Sequence, residues 1–308
     1  MGTWQIGSDS WGWEKDFSKQ DVMEALSYGL DSGLNFIDTA ELYGGGRSEE
    51  VIGDIIKGRR EEIVLASKVF PTHLTYKGVL KACNRSLRRL QVSTIDLYQI
   101  HFPNPLIPLR QTMRAMETLV KEGKIRYVGV SNFSTSRTKK ALKALESAQL
   151  VSNQVRYNLL QRGAERSLLP FLQESEMTLI AYSPMAQGLL SGRYSVGNPP
   201  KTGIRAINPL FSPTNMKRIQ PIFHTLLEIG ARRGKSISQV ALNWLIRDSA
   251  VVPIPGVKRR SHVEEDLGAV GWRLNDEELT EIAGVLAMFK RDLVLSLPRM
   301  ILRTLCHV

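Results

Sequence analysis

Apolar residues in this chain fall into short runs, separated by longer stretches in which they recur every three or four positions. The runs 2–6, 34–38, 63–68, 95–100, 126–130, 151–154, 178–181 and 251–254 are rich in Val, Ile and Leu and mostly lack an apolar–polar alternation. That pattern predicts short parallel strands covered on both faces. Between them, three-to-four spacing predicts helices over 19–31, 48–57, 76–90, 109–122, 136–147, 165–173 and 236–247. Asp16 and Ser18 are placed to cap the first of these, and Ser236 to cap the last. In that last helix Val240, Leu242, Trp244 and Leu245 supply a broad apolar face suited to packing.

Eight strands alternating with helices, with no linker-like composition between them, predict an α/β fold of one closed (β/α)8 TIM barrel. A doubly wound open sheet is the alternative. It calls for a glycine-rich phosphate loop after the first strand, and 2–12 contains no GxGxxG. The expected organisation is a barrel domain over 1–289 with a C-terminal tail at 290–308. The alternation stops over 189–221, where prolines and glycines accompany Arg193, Lys201 and Arg205. A loop of that length is expected to bind or cover a ligand, or else to be disordered. Near the end, Asn275 is placed to cap a helix through DEELTEIAGVLAMF, with Asp276, Glu277 and Glu278 favourable at its N-terminus.

At 308 residues the chain can bury one large core, and 43% hydrophobic with 23% charged residues describes a globular protein. Two cysteines, Cys83 and Cys306, offer neither a disulfide framework nor metal-ligand spacing, which implies a reducing compartment and no metal site. No signal peptide is visible and no apolar segment is long enough to span a bilayer, so a cytoplasmic protein without a membrane partner is expected. The net charge is +11, yet its lysines and arginines are scattered and not interleaved with aromatics, which argues against nucleic acid. Part of the excess lies at Lys290, Arg291, Arg299 and Arg303.

Polar chemistry concentrates at the ends of the predicted strands. Asp38 ends the second strand, and Tyr43 follows in a turn made bendable by Gly44, Gly45 and Gly46. Lys68 ends the third strand and His101 the fourth. In a barrel these positions converge over the C-terminal mouth, where such folds build their active sites. A lysine ending a buried strand needs a counterion, and Asp38 is the natural one. Taken singly, each residue also fits a structural role: a turn cap, an ion pair, a hydrogen-bonded core histidine.

Together with the surrounding motifs, these residues resemble the aldo-keto reductase family. The matching pieces are GTW at 2–4, NFIDTAELYG around Asp38 and Tyr43, SK at 67–68, DLYQIHFP around His101 and GVSNF at 129–133. NQVRYN at 153–158, AYSPMAQGLLSG at 181–192, and VPIPGVKR followed by EED at 264–266 complete the series. They recur in order over roughly 2–286. The resemblance implies NADPH-dependent reduction of an aldehyde or ketone, with NADP(H) preferred and NAD(H) possible. It assigns Tyr43 as general acid, Lys68 paired with Asp38 as the cation that lowers the phenol pKa, and His101 as the residue orienting the carbonyl. A phenol with pKa near 10 gives up its proton reluctantly unless a nearby cation stabilises its anion.

The same resemblance places a cofactor groove. Gly2, Thr3, Trp4 and Asp38 belong to it. Ser131, Asn132 and Gln154 are implied to bind the carboxamide, and Tyr182 to stack on the ring. Ser183, Pro184, Gly188 and Leu189 line the pyrophosphate, while Ile254, Gly256, Lys258, His262, Glu265 and Asp266 surround the adenosine. A helix beginning near His262 offers N–H groups and a favourable dipole to phosphate. Lys258, Arg259 and Arg260 supply charge suited to a 2′-phosphate. The chain departs from the family pattern at Gly256, where Lys follows Pro in some members, at His262 in place of Arg or Gln, and at Asp266 in place of Asn. Members also carry more chain before the GTW segment, so a shortened N-terminus is expected.

Trp4, Trp11, Tyr43, His101, Phe102 and Phe133 stand where the family places pocket walls, although Trp11 and Trp13 can equally anchor the first loop. An aromatic wall favours a medium-sized carbonyl substrate. The expected partner is that small molecule, on a monomer or weak homo-oligomer. A cofactor-binding regulatory or interaction subunit is the competing class, and an unrelated barrel hydrolase or isomerase the remote one. The tail LVLSLPRMILRTL is expected to be buried against the barrel side or mouth, the alternatives being the barrel floor, a subunit contact or a disordered terminus.

Overall fold

The computed structural model describes residues 1–201 and 203–289. The expected tail at 290–308 lies outside the described residues. By its contacts the chain divides into two compact units.

The first unit, 1–157, 163–182 and 248–264, holds the sheet. Its strands are β1 (Phe36–Asp38), β2 (Val64–Val69), β3 (Ile95–Ile100), β4 (Ile125–Ser131), β5 (Leu150–Arg156), β6 (Thr178–Tyr182) and β7 (Val251–Ile254). They pair in sequence order and in parallel. Gly2 closes the ring by bridging Asp38 on one side and Gly256 on the other, both in parallel sense. The result is a (β/α)8 barrel. Glycine suits that position, because a Cβ there would lie 3.0 Å from the Ile254 carbonyl oxygen, closer than most side-chain contacts. The strand expected over 2–6 is reduced to one bridging residue, Gly2. Thr3 N–H and Oγ1 both donate to Asp38 O, and Ile6 N–H turns back to Thr3 O, which takes the chain out of the sheet.

The first unit's helices are α1 (Lys19–Asp31), α2 (Arg47–Ile55), α3 (Tyr76–Leu90), α4 (Leu109–Lys121), α5 (Thr135–Lys143) and α6 (Leu168–Glu174), and the unit ends at Glu264, within α10 (Arg260–Leu267). Ser18 caps α1 in a reciprocal capping box with Asp21. Strand faces alternate as the two-residue period demands. Ser67 points out of the barrel and donates to the buried Glu49 of α2, which Arg89 of α3 neutralises. Lys68 points in. Phe36, Ala66, Leu97, Val151, Ile180, Tyr182 and Ile254 pack together, and two residues further along β1, β2 and β3 come Asp38, Lys68 and Gln99. An apolar layer thus floors a polar one.

The second unit, 158–162, 183–247 and 265 onward, contains α7 (Gly203–Ala206), α8 (Pro213–Arg233), α9 (Ile237–Ile246) and α11 (Asp276–Met288). Helix α8 packs on α9 and α11. Neither it nor the short α7 is among the helices that apolar spacing predicts. Ser212 caps α8 and Pro213 starts it, but Pro221 lies inside it and reads as a break. The apolar face through Met216, Ile219, Phe223, Leu226 and Ile229 outweighs that defect. Ser236 and Asn275 cap α9 and α11 in capping boxes. No helix among the described residues is long and apolar enough to cross a membrane.

Candidate active site

The ends of β1, β2 and β3 deliver Asp38, Lys68 and His101 to one place, and the loop after β1 brings Tyr43 to it. Gly44 and Gly45 adopt left-handed conformations, with φ of 57° and 67°. A side chain at Gly44 would collide with the Gly7 backbone at 2.8 Å, so the turn needs glycine there. Glu41 ties the same loop down. Its buried carboxylate accepts from Phe70 N–H just beyond β2 at 2.6 Å, from His73 Nδ1 at 3.0 Å and from Arg85 of α3 at 3.1 Å.

Lys68 is fully buried. Its ammonium donates to Asp38 Oδ1 at 2.5 Å, to Thr39 O at 2.8 Å and to Tyr43 Oη at 3.2 Å. Burial acts to lower the Lys68 pKa, but Asp38 and then Tyr43 outweigh it, and the net direction is upward. The ammonium is therefore a fixed charge at neutral pH. Tyr43 departs from expectation. Its phenol lies above the ordinary value because desolvation dominates; Lys68 acts to lower it, as anticipated, and Asp38 to raise it. The site thus keeps Tyr43 protonated.

His101 meets Tyr43 edge to face at 5.6 Å and stacks on Phe102 at 5.1 Å. Burial, and secondarily Lys68, pushes its imidazole down to about 3, so it is neutral. Its Nδ1 is buried with no hydrogen-bond partner. A proton on Nδ1 would be a buried orphan donor, so the favoured tautomer carries it on Nε2.

The sequence reading omitted Gln99. Its Nε2 donates to Asp38 Oδ2 at 3.2 Å, and Gln154 Nε2 donates to the same oxygen at 2.7 Å. The signal was present: Gln99 is two residues beyond Leu97, on the inward period of an otherwise apolar strand.

Of the remaining expected residues in the first unit, Ser131 and Asn132 follow one another off β4. Ser131 Oγ donates to Gln154 O, and Asn132 N–H does the same. Asn132, at φ 61°, donates from Nδ2 to His101 O and accepts from Tyr182 Oη at 2.9 Å. Tyr182 is half-buried with Arg156 over its ring at 5.5 Å. Trp4 and Phe102 keep 37% and 44% of their surface exposed, whereas Trp11 and Phe133 are buried. Trp11 packs edge to face on Trp4 at 5.0 Å, and Trp13 on Phe17 at 5.4 Å, so both anchor the first loop. Ile254 is buried and Gly256 sits beneath the Gln5 side chain. The basic run is engaged: Lys258 donates to Trp11 O and lies 4.4 Å from the Phe17 ring centroid. Arg259 donates to Asp16 O, and Arg260 pairs with Glu264 at 2.7 Å. His262 is exposed on α10.

In the second unit, Ser183, Ala186 and Gln187 are left-handed non-glycine residues, and Gly188 has φ 92°. The N–H groups of Ala186 and Gly188 close this turn onto Ser183 O and Met185 O, and left-handed strain of this kind concentrates at functional sites. Pro184 and Leu189 are buried beneath it. Arg205 Nε donates to Gln187 O at 2.8 Å, and Asn208 Nδ2 to Gln187 Oε1 at 3.0 Å, so the long loop clasps this turn. Glu265 accepts from Ser236 at the start of α9. Asp266 is half-buried, and desolvation pushes its carboxyl up to about 7. No group of three or more His, Cys, Asp or Glu residues suited to a metal occurs among the described residues.

Within the first unit, amide and hydroxyl groups at the ends of β4 and β5 stand beside an aromatic side chain on β6, chemistry that suits a planar ring bearing a carboxamide. Comparison with known proteins agrees. Residues 1–287 match the Aldo/keto reductase family model. An uncharacterized oxidoreductase of Mycobacterium tuberculosis is 40% identical over 291 residues, covering 94% of this chain and 89% of the relative. Among solved structures, an aldo/keto reductase from Klebsiella pneumoniae in complex with NADP and acetate is 35% identical, with a TM-score of 0.73 over 95% of this chain and 92% of the other. The glycerol dehydrogenase of Gluconobacter oxydans is 29% identical, with a TM-score of 0.85 over 96% and 92%. The chain belongs to the aldo/keto reductase family, enzymes that reduce carbonyl groups to alcohols with NAD(P)H.

Proposed function

We propose that this protein reduces an aldehyde or ketone, reversibly, with NADP(H) as preferred cofactor and Tyr43 as general acid. One observation carries the reading: a buried lysine joins the Asp38 carboxylate at 2.5 Å to the Tyr43 phenol at 3.2 Å. The nicotinamide, when bound, supplies the hydride. Tyr43 supplies the proton to the carbonyl oxygen, and its phenolate is left facing the Lys68 ammonium, which stabilises the developing charge. Because Lys68 donates to Oη, the phenol's own hydrogen is directed elsewhere and is available to substrate. His101, neutral with its proton on Nε2, donates to the same carbonyl oxygen and fixes its orientation.

Ser131, Asn132 and Gln154 would hold the carboxamide and Tyr182 the ring. Ser183, Pro184, Gly188 and Leu189 would follow the pyrophosphate. Lys258 and its neighbouring arginines would meet a 2′-phosphate, for which Lys258 must exchange the Trp11 carbonyl for phosphate oxygens. The NADP-bound relative from Klebsiella pneumoniae supports this cofactor choice. Trp4 and Phe102 offer exposed aromatic surface suited to an uncharged, medium-sized carbonyl.

The test is to follow nicotinamide absorbance with purified protein, NADPH or NADH, and a panel of aromatic, aliphatic and sugar carbonyls. Turnover with NADPH on uncharged aldehydes is expected. Tight cofactor binding with no turnover across the panel would replace this reading with that of a cofactor-binding regulatory subunit.

A further inference from the structure

Asp38 carries more donors than an ion pair requires. Lys68 occupies Oδ1, and the amides of Gln99 and Gln154 both reach Oδ2, at 3.2 and 2.7 Å. All four side chains are buried. Gln99 is the register partner of Lys68 across β2 and β3. On its other side its partner is Gly129 of β4, where a Cβ would lie 2.7 Å from Gln99 Cγ. The barrel therefore makes room for this side chain. An amide at an interior position costs desolvation that a leucine or methionine there would not, so the contacts it makes must matter.

Those contacts fix the orientation of two amides. Gln154 Nε2 also approaches Gln99 Oε1 at 3.4 Å. Flipping the Gln99 amide would set its oxygen against a carboxylate oxygen and its NH2 against the NH2 of Gln154, which is repulsive twice over. Flipping Gln154 would set its oxygen against both acceptors. Held as they are, both NH2 groups serve Asp38, and Gln154 Oε1 makes no hydrogen bond among the described residues. That oxygen is what a primary carboxamide needs as an acceptor.

We infer that Gln99 is a positioning residue of the reductase site: it holds the Gln154 amide so that Oε1 is presented to the nicotinamide carboxamide, and it spreads the Asp38 charge felt by Lys68 and Tyr43. The inference rests on the proposed cofactor role of Gln154. It links cofactor recognition to the acid through one buried chain, Gln154 to Asp38 to Lys68 to Tyr43. With the Gln99 donor removed, the Asp38 carboxylate is less neutralised. Asp38 already raises the phenol's pKa, so the phenol should ionise at still higher pH.

The experiment compares wild type with Gln99→Met, which keeps length and volume, and with Gly129→Ala, which keeps Gln99 while its added methyl presses on Gln99 Cγ and Ser152 Oγ, each at 2.7 Å. Phenol ionisation is read in cofactor-free protein by ultraviolet difference titration against each protein's own Tyr43→Phe counterpart. NADPH affinity is read by fluorescence titration. The expected result for both variants is an upward shift of the Tyr43 titration by about half to one pH unit and a three- to tenfold weaker dissociation constant, about the effect of one neutral hydrogen bond. Unchanged titration and affinity in Gln99→Met would overturn the proposal. A lower melting temperature with both readouts unchanged would overturn it equally, because it would make Gln99 a packing residue. If wild type itself bound no NADPH, the functional reading would fail, while the ionisation arm would still decide whether Gln99 acts on the acid.

Discussion

Lys68 has three N–H bonds, and three oxygens receive them: a carboxylate, a backbone carbonyl and a phenol. This full use of one ammonium explains how a lysine survives complete burial, since an unpaired charge there would be heavily penalised. The sequence made the Asp38–Lys68 pairing legible, because a strand-ending lysine demands a counterion. It did not make Gln99 legible, because one glutamine within an apolar strand carries no local signal until neighbouring strands are in register. Nor did it reveal that the Lys258 ammonium rests on Trp11 O and over the Phe17 ring, since that contact joins opposite ends of the chain. Lys258 also carries a prediction. If it reads a 2′-phosphate, Lys258→Ala removes a charge-assisted hydrogen bond worth roughly 1.5–3 kcal/mol and weakens NADPH binding about ten- to hundredfold, with little change for NADH. Fluorescence titration with both cofactors checks this, and an equal loss for the two would mean that the basic run reads no phosphate.

Apolar spacing placed most strands and helices within a few residues, and the disagreements have physical causes at their ends. The helix expected through Ser147 stops at Lys143, because Glu117 of α4 takes the backbone N–H groups of Glu146, Ser147 and Ala148 at 2.8–2.9 Å, and Ser147 Oγ as well. Burial acts to raise the Glu117 pKa, but these backbone donors outweigh it and hold the carboxyl down to about 2. The folded value is depressed below the ordinary glutamate range. The corresponding stability is therefore present above about pH 4.5 and is lost as pH falls toward 2. Glu117→Gln should cost about 2 kcal/mol at pH 7. In denaturant titrations the gap between variant and wild type should narrow steadily below pH 4.5. A gap independent of pH down to 2 would show that the carboxylate charge is not what holds the chain between α5 and β5. Helix α8 shows the converse limit: the alternation was expected to stop over 189–221, yet α8 begins at Pro213 and runs through Pro221, held by its assembled apolar face.

For the whole molecule, the order of motifs from GTW to EED was sufficient to read the family from the sequence, and the closure of the sheet by Gly2 accounts for the barrel. What the sequence could not supply was the balance of fields inside it. The cation was expected to leave the phenol with a lowered pKa, yet desolvation wins and Tyr43 remains a protonated acid. The proposed function gives two tasks to different residues: proton donation to Tyr43, and cofactor retention to residues on other elements. The most direct test is Tyr43→Phe, assayed for carbonyl reduction with NADPH and, in parallel, for NADPH affinity. The account predicts that turnover falls by at least two to four powers of ten, as for loss of a general acid, while the dissociation constant for NADPH stays within about twofold of wild type. Turnover near the wild-type rate in Tyr43→Phe would contradict it.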